Sequence, residues 1–212
     1  MVRTINTDMA KIKISGNTNP QDALKAKELG ADFIGFIFYP KSKRYVGEDF
    51  VMPEIPSQIK KVGVFVNDSI ENIFQLVTKH ALDMVQLHGD ESAEFCHAIA
   101  AKTKIIKAFG IEEEFDFSIL NAYEDYCEYF LFDTKSSDYG GTGNGFDKNI
   151  LWNYELSKPY FLSGGISLEE VRSRKPEVRS AYALDVNSKF ETKPGFKDLN
   201  KLKLLKDELS GK

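Results

Sequence analysis

Residues 11–20 read KIKISGNTNP. Apolar and polar side chains alternate up to Ser15, so Lys13 and Ser15 share one face of a strand. The chain breaks at Gly16. Asn19 then caps a helix with Pro20 in its first turn and Gly30 just past its end. A strand that runs into a helix opens either a doubly wound sheet or a closed parallel barrel. The doubly wound sheet carries a glycine fingerprint at this turn, and SGNTNP is not that fingerprint.

The remaining chain repeats the unit. Short apolar runs recur at DFIGFIF (32–38), KVGVFV (61–66), DMVQLH (83–88), KIIKAF (104–109), YFLFD (129–133), PYFLS (159–163) and AYALDV (181–186). Each reads as a strand buried on both faces. Helical patterns fill the intervals. Asp68 with Glu71, and Ser167 with Glu170, have capping-box spacing. ESAEFCHAIAAK, DFSILNAYEDY and DLNKLKLLKDEL supply further helices, the last ending near Leu209. GEDFVMPEIPSQ holds two prolines, which predicts a short or broken helix. The fold expected is α/β: a single (β/α)8 TIM barrel over residues 1–212, with short helices and of the phosphate-binding type. Such barrels run to about 250 residues, so this one must economise on its helices.

A formal net charge of −4, with acidic and basic residues mixed along the chain, argues against a nucleic-acid partner. No apolar run is long enough for a membrane partner. MVRTINTDMA has no apolar core for a secretory signal, so a cytoplasmic address is expected. Cys96 and Cys127 sit among apolar neighbours and read as reduced core thiols. The three histidines, His80, His88 and His97, have no metal-ligand spacing. No metal and no cofactor are expected.

A barrel gathers its chemistry at the carboxyl ends of its strands. Those ends carry Ser15 and Asn17, Arg44 in YPKSKRYV, Gln86 and His88, Asp133 and Thr134, Ser163-Gly164-Gly165, and Asp185, Asn187 and Ser188. Asp133 follows YFLF and is either a loop-ordering carboxylate or a proton donor or acceptor. SSDYGGTGNGFD, with Gly141, Thr142 and Gly143 at its centre, leaves backbone N–H groups free for an anion. The same holds for SGG and for VNS, the ends of the last two strands, where such barrels bind phosphate. Arg44 is either part of a solvated charge run with Lys41 and Lys43 or a planar fork for a carboxylate. His88 can orient a ring or a carboxylate. Trp152, Tyr154 and Tyr160 read as packing residues. Lys13, if it points inward, needs a carboxylate.

The stretches KISGNTNPQDALKAKELGADFIGFIFYPKSKRYV, KVGVFVN, VQLHGDE, IIKAF, FLFDTKSSDYGGTG, FLSGGI and LDVNSKFETKPGFKD together resemble the phosphoribosylanthranilate isomerase family of tryptophan biosynthesis. The resemblance runs from about residue 11 to residue 205. It implies an Amadori rearrangement of N-(5-phosphoribosyl)anthranilate to 1-(2-carboxyphenylamino)-1-deoxyribulose 5-phosphate, without cofactor or metal. It implies Asp133 as the general acid that opens the furanose and Arg44 as the holder of the anthranilate carboxylate. Asp185 falls near the sugar hydroxyls. Gly141–Gly143, Ser163–Gly165 and Asn187–Ser188 fall around the phosphate. The small phosphorylated substrate is the partner implied; the chain itself reads as a monomer or a homodimer.

One residue departs from the family. KISG stands where the family usually has KICG, whose thiolate is its general base. A hydroxyl is a far weaker base than a thiolate. Three readings of Ser15 stay open. It is an introduced change that slows turnover. Or the proton goes to another carboxylate, Asp185 first, or to a water. Or the protein binds without this catalysis. Other sugar-phosphate barrel enzymes fit less well. An indole-glycerol-phosphate synthase would use a lysine such as Lys13 or Lys107 with a mouth glutamate, and that glutamate is not evident. A metal-dependent epimerase needs converging histidines. A histidine-pathway isomerase needs carboxylates at both working positions.

Overall fold

Eight parallel strands close on one another in chain order. They are β1 (Lys11–Ile14), β2 (Phe33–Ile37), β3 (Lys60–Phe65), β4 (Met84–Leu87), β5 (Lys104–Ile111), β6 (Tyr129–Thr134), β7 (Tyr160–Leu162) and β8 (Ala183–Val186). The computed structural model describes residues 10–135 and 146–211. The barrel shuts where β8 pairs with β1, Lys13 opposite Asp185 and Ile14 opposite Val186. That pairing excludes the open sheet.

Strand alternation sorts the side chains into two cores. Phe33, Val62, Met84, Ile106, Ala108, Leu131, Phe161 and Ala183 fill the barrel interior. The intervening positions, such as Ile12, Ile34, Val85, Phe130 and Leu184, pack outward with the helices. Near the carboxyl ends polar residues enter, Ser15, Gln86, His88, Asp133, Ser163 and Asp185, while the ends of β2 and β3 still offer Ile37, Val64 and Val66. A packed apolar floor therefore lies beneath a mouth that is polar on most sides.

The helices are short: α1 (Pro20–Leu24), α2 (Ile70–His80), α3 (Ala93–Ala100), α4 (Leu168–Ser173), α5 (Pro176–Ser180) and α6 (Leu199–Ser210). The capping box at Ser167 and Glu170 forms in full. At α2 the cap is Ser69, whose hydroxyl accepts from the Asn72 N–H, rather than Asp68. Asp68 takes the Asn72 side-chain amide instead. DFSILNAYEDY folds as a 3-10 helix at Phe117–Tyr123. No helix forms between β2 and β3, where Pro53 and Pro56 withhold two N–H donors. Tyr154 and Tyr160 are buried, but Trp152 is 64% exposed. In the 3-10 helix Lys148–Asn153, Leu151 takes the inward position, and its neighbour is turned about a third of a circle away. Cys96 and Cys127 are buried free thiols. No helix of the described residues is long and apolar enough to cross a membrane.

Candidate active site

One cavity at the carboxyl ends of the strands is lined by Ser15, Arg44, His88, Asp133, Ser163, Gly164, Gly165, Asp185, Asn187 and Ser188. Gln86 lines it too, whereas Asn17 and Thr134 at the same strand ends do not; Gly141, Thr142 and Gly143 lie outside the described residues.

The β1–β8 register builds the first corner. Lys13 and Ser15 share a face of β1, and Lys13 stands opposite Asp185. All three are buried. The Lys13 ammonium donates to Asp185 Oδ2 at 2.9 Å and to Ser15 Oγ at 2.5 Å. The Ser15 hydroxyl donates to Asp185 Oδ1 at 2.5 Å. Lys13 thus has the carboxylate its burial demands. Ser15 keeps one lone pair for the cavity and has a carboxylate to receive its own proton. The neighbouring glycine permits this closeness: a Cβ on Gly35 would stand 2.8 Å from Ser15 Oγ.

β4 and β6 build the second corner. Asp133 Oδ1 accepts from the Thr134 N–H at 2.7 Å. Its Oδ2 lies 3.4 Å from His88 Nε2, and His88 Nδ1 lies 2.6 Å from Gln86 Nε2. Both Asp133 and His88 retain some exposure, 16% and 17% of their side chains, so a ligand can touch them. The loop after β4 is pinned from behind: the Lys107 ammonium donates to Gly89 O and pairs with Glu91 at 3.0 Å. Lys107 thus belongs to the outer layer and not to the cavity. His80 and His97 stay out of the site too. His80 lies between Phe38 and Phe50, its pKa pushed down by burial and by Lys79 and Lys61. His97 stacks on Tyr126.

Arg44 forms the third corner. It is no solvated charge, unlike the exposed Lys41 and Lys43. Nε and Nη2 grip the Glu191 carboxylate at 2.7 to 3.0 Å. That occupies the side edge of the guanidinium and leaves its end edge for a second carboxylate. Gly16 makes room for the arm: its φ is +69°, and a Cβ there would come within 2.5 Å of Arg44 Cδ. The Glu191 carboxyl is pushed up by burial, but Arg44 and Lys197 overcome this and hold it below its ordinary range. Lys197 donates to Glu191 at 2.7 Å and to Asn187 at 3.0 Å. Burial carries its pKa down to about 8, against the pull of Glu191.

This cluster sets a pH dependence. Arg44, Glu191 and Lys197 carry a net charge of +1 below pH 8 and none above it, once Lys197 loses its proton. Asp185 is the other charge that bears on Lys197. The KM of an anionic ligand bound beside this cluster is therefore expected to rise as pH passes 8, with kcat flat across the same step. Lys197→Met is expected to show the raised KM at pH 7 and no step at pH 8. Initial rates across pH check this.

The fourth region follows β7 and β8. Gly164 and Gly165 adopt φ of +79° and +71°. Their N–H groups donate to nothing among the described residues. With Asn187, Ser188 and Lys189 they form a rim of small residues and amides suited to an anion. Among the described residues no group of three His, Cys, Asp or Glu side chains could hold a metal ion.

The sequence did not mark Glu191 and Lys197 as site residues. They sit in a hairpin, β9 (Glu191–Lys193) with β10 (Phe196–Lys197), that folds back onto the mouth. Their only linear signal is a pair of opposite charges flanking a Pro-Gly turn. Lys13 and Gln86 were legible as inward-facing partners of Ser15 and His88, two residues away in each case.

Residues 12–208 match the family model described as N-(5'phosphoribosyl)anthranilate (PRA) isomerase. An N-(5'-phosphoribosyl)anthranilate isomerase of Parabacteroides distasonis is 41% identical over 198 residues, 91% of this chain and 90% of the relative. The crystal structure of phosphoribosyl anthranilate isomerase from Thermotoga maritima superposes with a TM-score of 0.84 at 39% identity, covering 96% of this chain and 100% of that one. A phosphoribosyl anthranilate isomerase in complex with reduced 1-(o-carboxyphenylamino)-1-deoxyribulose 5-phosphate superposes with a TM-score of 0.80 at 36% identity, again covering 96% and 100%.

Proposed function

The chain belongs to the N-(5'-phosphoribosyl)anthranilate isomerase family, and we propose how its own residues carry that family's reaction, the Amadori rearrangement of tryptophan biosynthesis. Asp133 protonates the furanose oxygen. The C1′–O4′ bond breaks as the amine nitrogen forms a double bond to C1′, and Asp133 becomes a carboxylate. Ser15 Oγ then takes the C2′ proton while its own proton passes to Asp185 Oδ1. The C2′–H electrons form the C1′=C2′ bond of an enolamine. When C1′ gains a proton and O2′ loses one, the ketone forms and both carboxyls are reset.

Arg44 holds the anthranilate carboxylate on its free end edge. The amides of Gly164 and Gly165, with Ser163, Asn187 and Ser188, take the phosphate. The observation that carries this reading is the single cavity, into which β6 brings Asp133 while β1 and β8 bring the Ser15–Asp185 pair. Lys13 pairs with Asp185 Oδ2 and leaves Oδ1 to receive the serine proton. This relay replaces a direct base and predicts a slowed enzyme. A biosynthetic enzyme with a small phosphorylated substrate suits the cytoplasm, as monomer or homodimer.

The test is turnover. Substrate fluorescence is expected to decay catalytically on adding the purified chain, and inorganic phosphate is expected to compete. Binding of substrate with no decay at stoichiometric protein would reduce the chain to a binding protein.

A further inference from the structure

Gln86 has no role in the steps above, yet it carries a buried polar atom without a partner. It stands on β4 with 2% of its surface exposed and lines the cavity beside His88. Its Nε2 lies 2.6 Å from His88 Nδ1. Its Oε1 is buried and accepts no hydrogen bond. A buried acceptor without a donor is costly, and such atoms in native proteins call for an occupant.

The two ends of the amide have separate consequences. An amide N–H has no lone pair to offer, so the ring nitrogen facing it must supply one. The neutral His88 ring then keeps its proton on Nε2. That nitrogen lies 3.4 Å from Asp133 Oδ2, close enough for a hydrogen bond that tightens when ligand binds. An N–H there supports the carboxylate that Asp133 becomes after giving up its proton. With its proton on Nε2, the ring presents no lone pair to Asp133 and so takes no proton from it through this nitrogen. The opposite tautomer would present a lone pair to the carboxylate and oppose the step.

The other end is buried, but the residue lines the cavity, so a ligand settling against it is the donor within reach. An amine N–H ortho to a benzoate is already engaged by its own carboxylate. The free donors of the substrate are the pentose hydroxyls. We propose that Gln86 is a positioning residue that fixes His88 as the Nε2–H tautomer, and that its Oε1 accepts a hydrogen bond from a pentose hydroxyl of the substrate. This rests on the isomerase reading above.

Two substitutions of matched length separate the two ends. Gln86→Glu removes the donor and places an acceptor opposite Nδ1; Gln86→Met removes both. The chain has three histidines, so nitrogen-15 NMR of the imidazoles resolves His88. The unsubstituted protein is expected to show the proton on Nε2, and Gln86→Glu is expected to move it to Nδ1. The affinity for reduced 1-(o-carboxyphenylamino)-1-deoxyribulose 5-phosphate is expected to fall about tenfold in Gln86→Met. An Nδ1–H tautomer in the unsubstituted protein overturns the proposal without recourse to any variant. Equal affinity of that protein and Gln86→Met also overturns it, while the isomerase reading stands. Failure of the analogue to bind either protein overturns both.

Discussion

Asp133→Asn is expected to lower kcat by about 10²–10⁴ and to leave KM nearly unchanged. Asparagine has the size and shape of the aspartate. Its carbonyl can still accept from the Thr134 N–H, a bond of 2.7 Å in this structure. It can still face His88. What it cannot do is give up a proton at neutral pH. The effect is therefore expected on the step that breaks C1′–O4′ rather than on binding, which the proposed mechanism assigns to Arg44 and to the amides after β7 and β8. Steady-state kinetics with N-(5-phosphoribosyl)anthranilate separate the two parameters. A kcat within threefold of the unsubstituted value would remove Asp133 from the role of acid.

Ser15→Cys is expected to raise kcat, by up to about 10²–10⁴, again with little change in KM. A thiol ionises near pH 8.5, whereas a serine hydroxyl needs a partner to take its proton. Here that partner is Asp185 Oδ1, 2.5 Å from the hydroxyl. The thiol would sit beside the Lys13 ammonium, which favours a thiolate, and beside the Asp185 carboxylate, which opposes it. Removing Asp185 is a poor test, because it would strand a fully buried Lys13 and cost about 3–5 kcal/mol of stability. Ser15→Ala is the better companion. It leaves the Lys13–Asp185 pair whole and takes away only the atom between the carboxylate and the substrate. The expected order of kcat is alanine below serine below cysteine at position 15. Equal rates in all three would mean that the C2′ proton travels by another route.

Most of the barrel was readable because its strands are buried on both faces. Each appears as an apolar run between turn residues, and their carboxyl ends stand out as the places where those runs turn polar. Helix detail was less readable. Capping depends on backbone angles at single residues, so Ser69 rather than Asp68 caps α2. A 3-10 turn shifted the face that Trp152 presents.

The sequence by itself determined the succession of the strands, which residues share one strand face and the family to which the strand-end motifs point, because period-two alternation and turn chemistry are local. Only the tertiary structure decided the partners. Barrel closure sets Ser15 against Asp185, 170 residues away, and the hairpin after β8 brings Glu191 to Arg44, 147 residues away. No spacing rule links such positions; strand register and the folding back of one loop do, and through them a serine gains the carboxylate it needs.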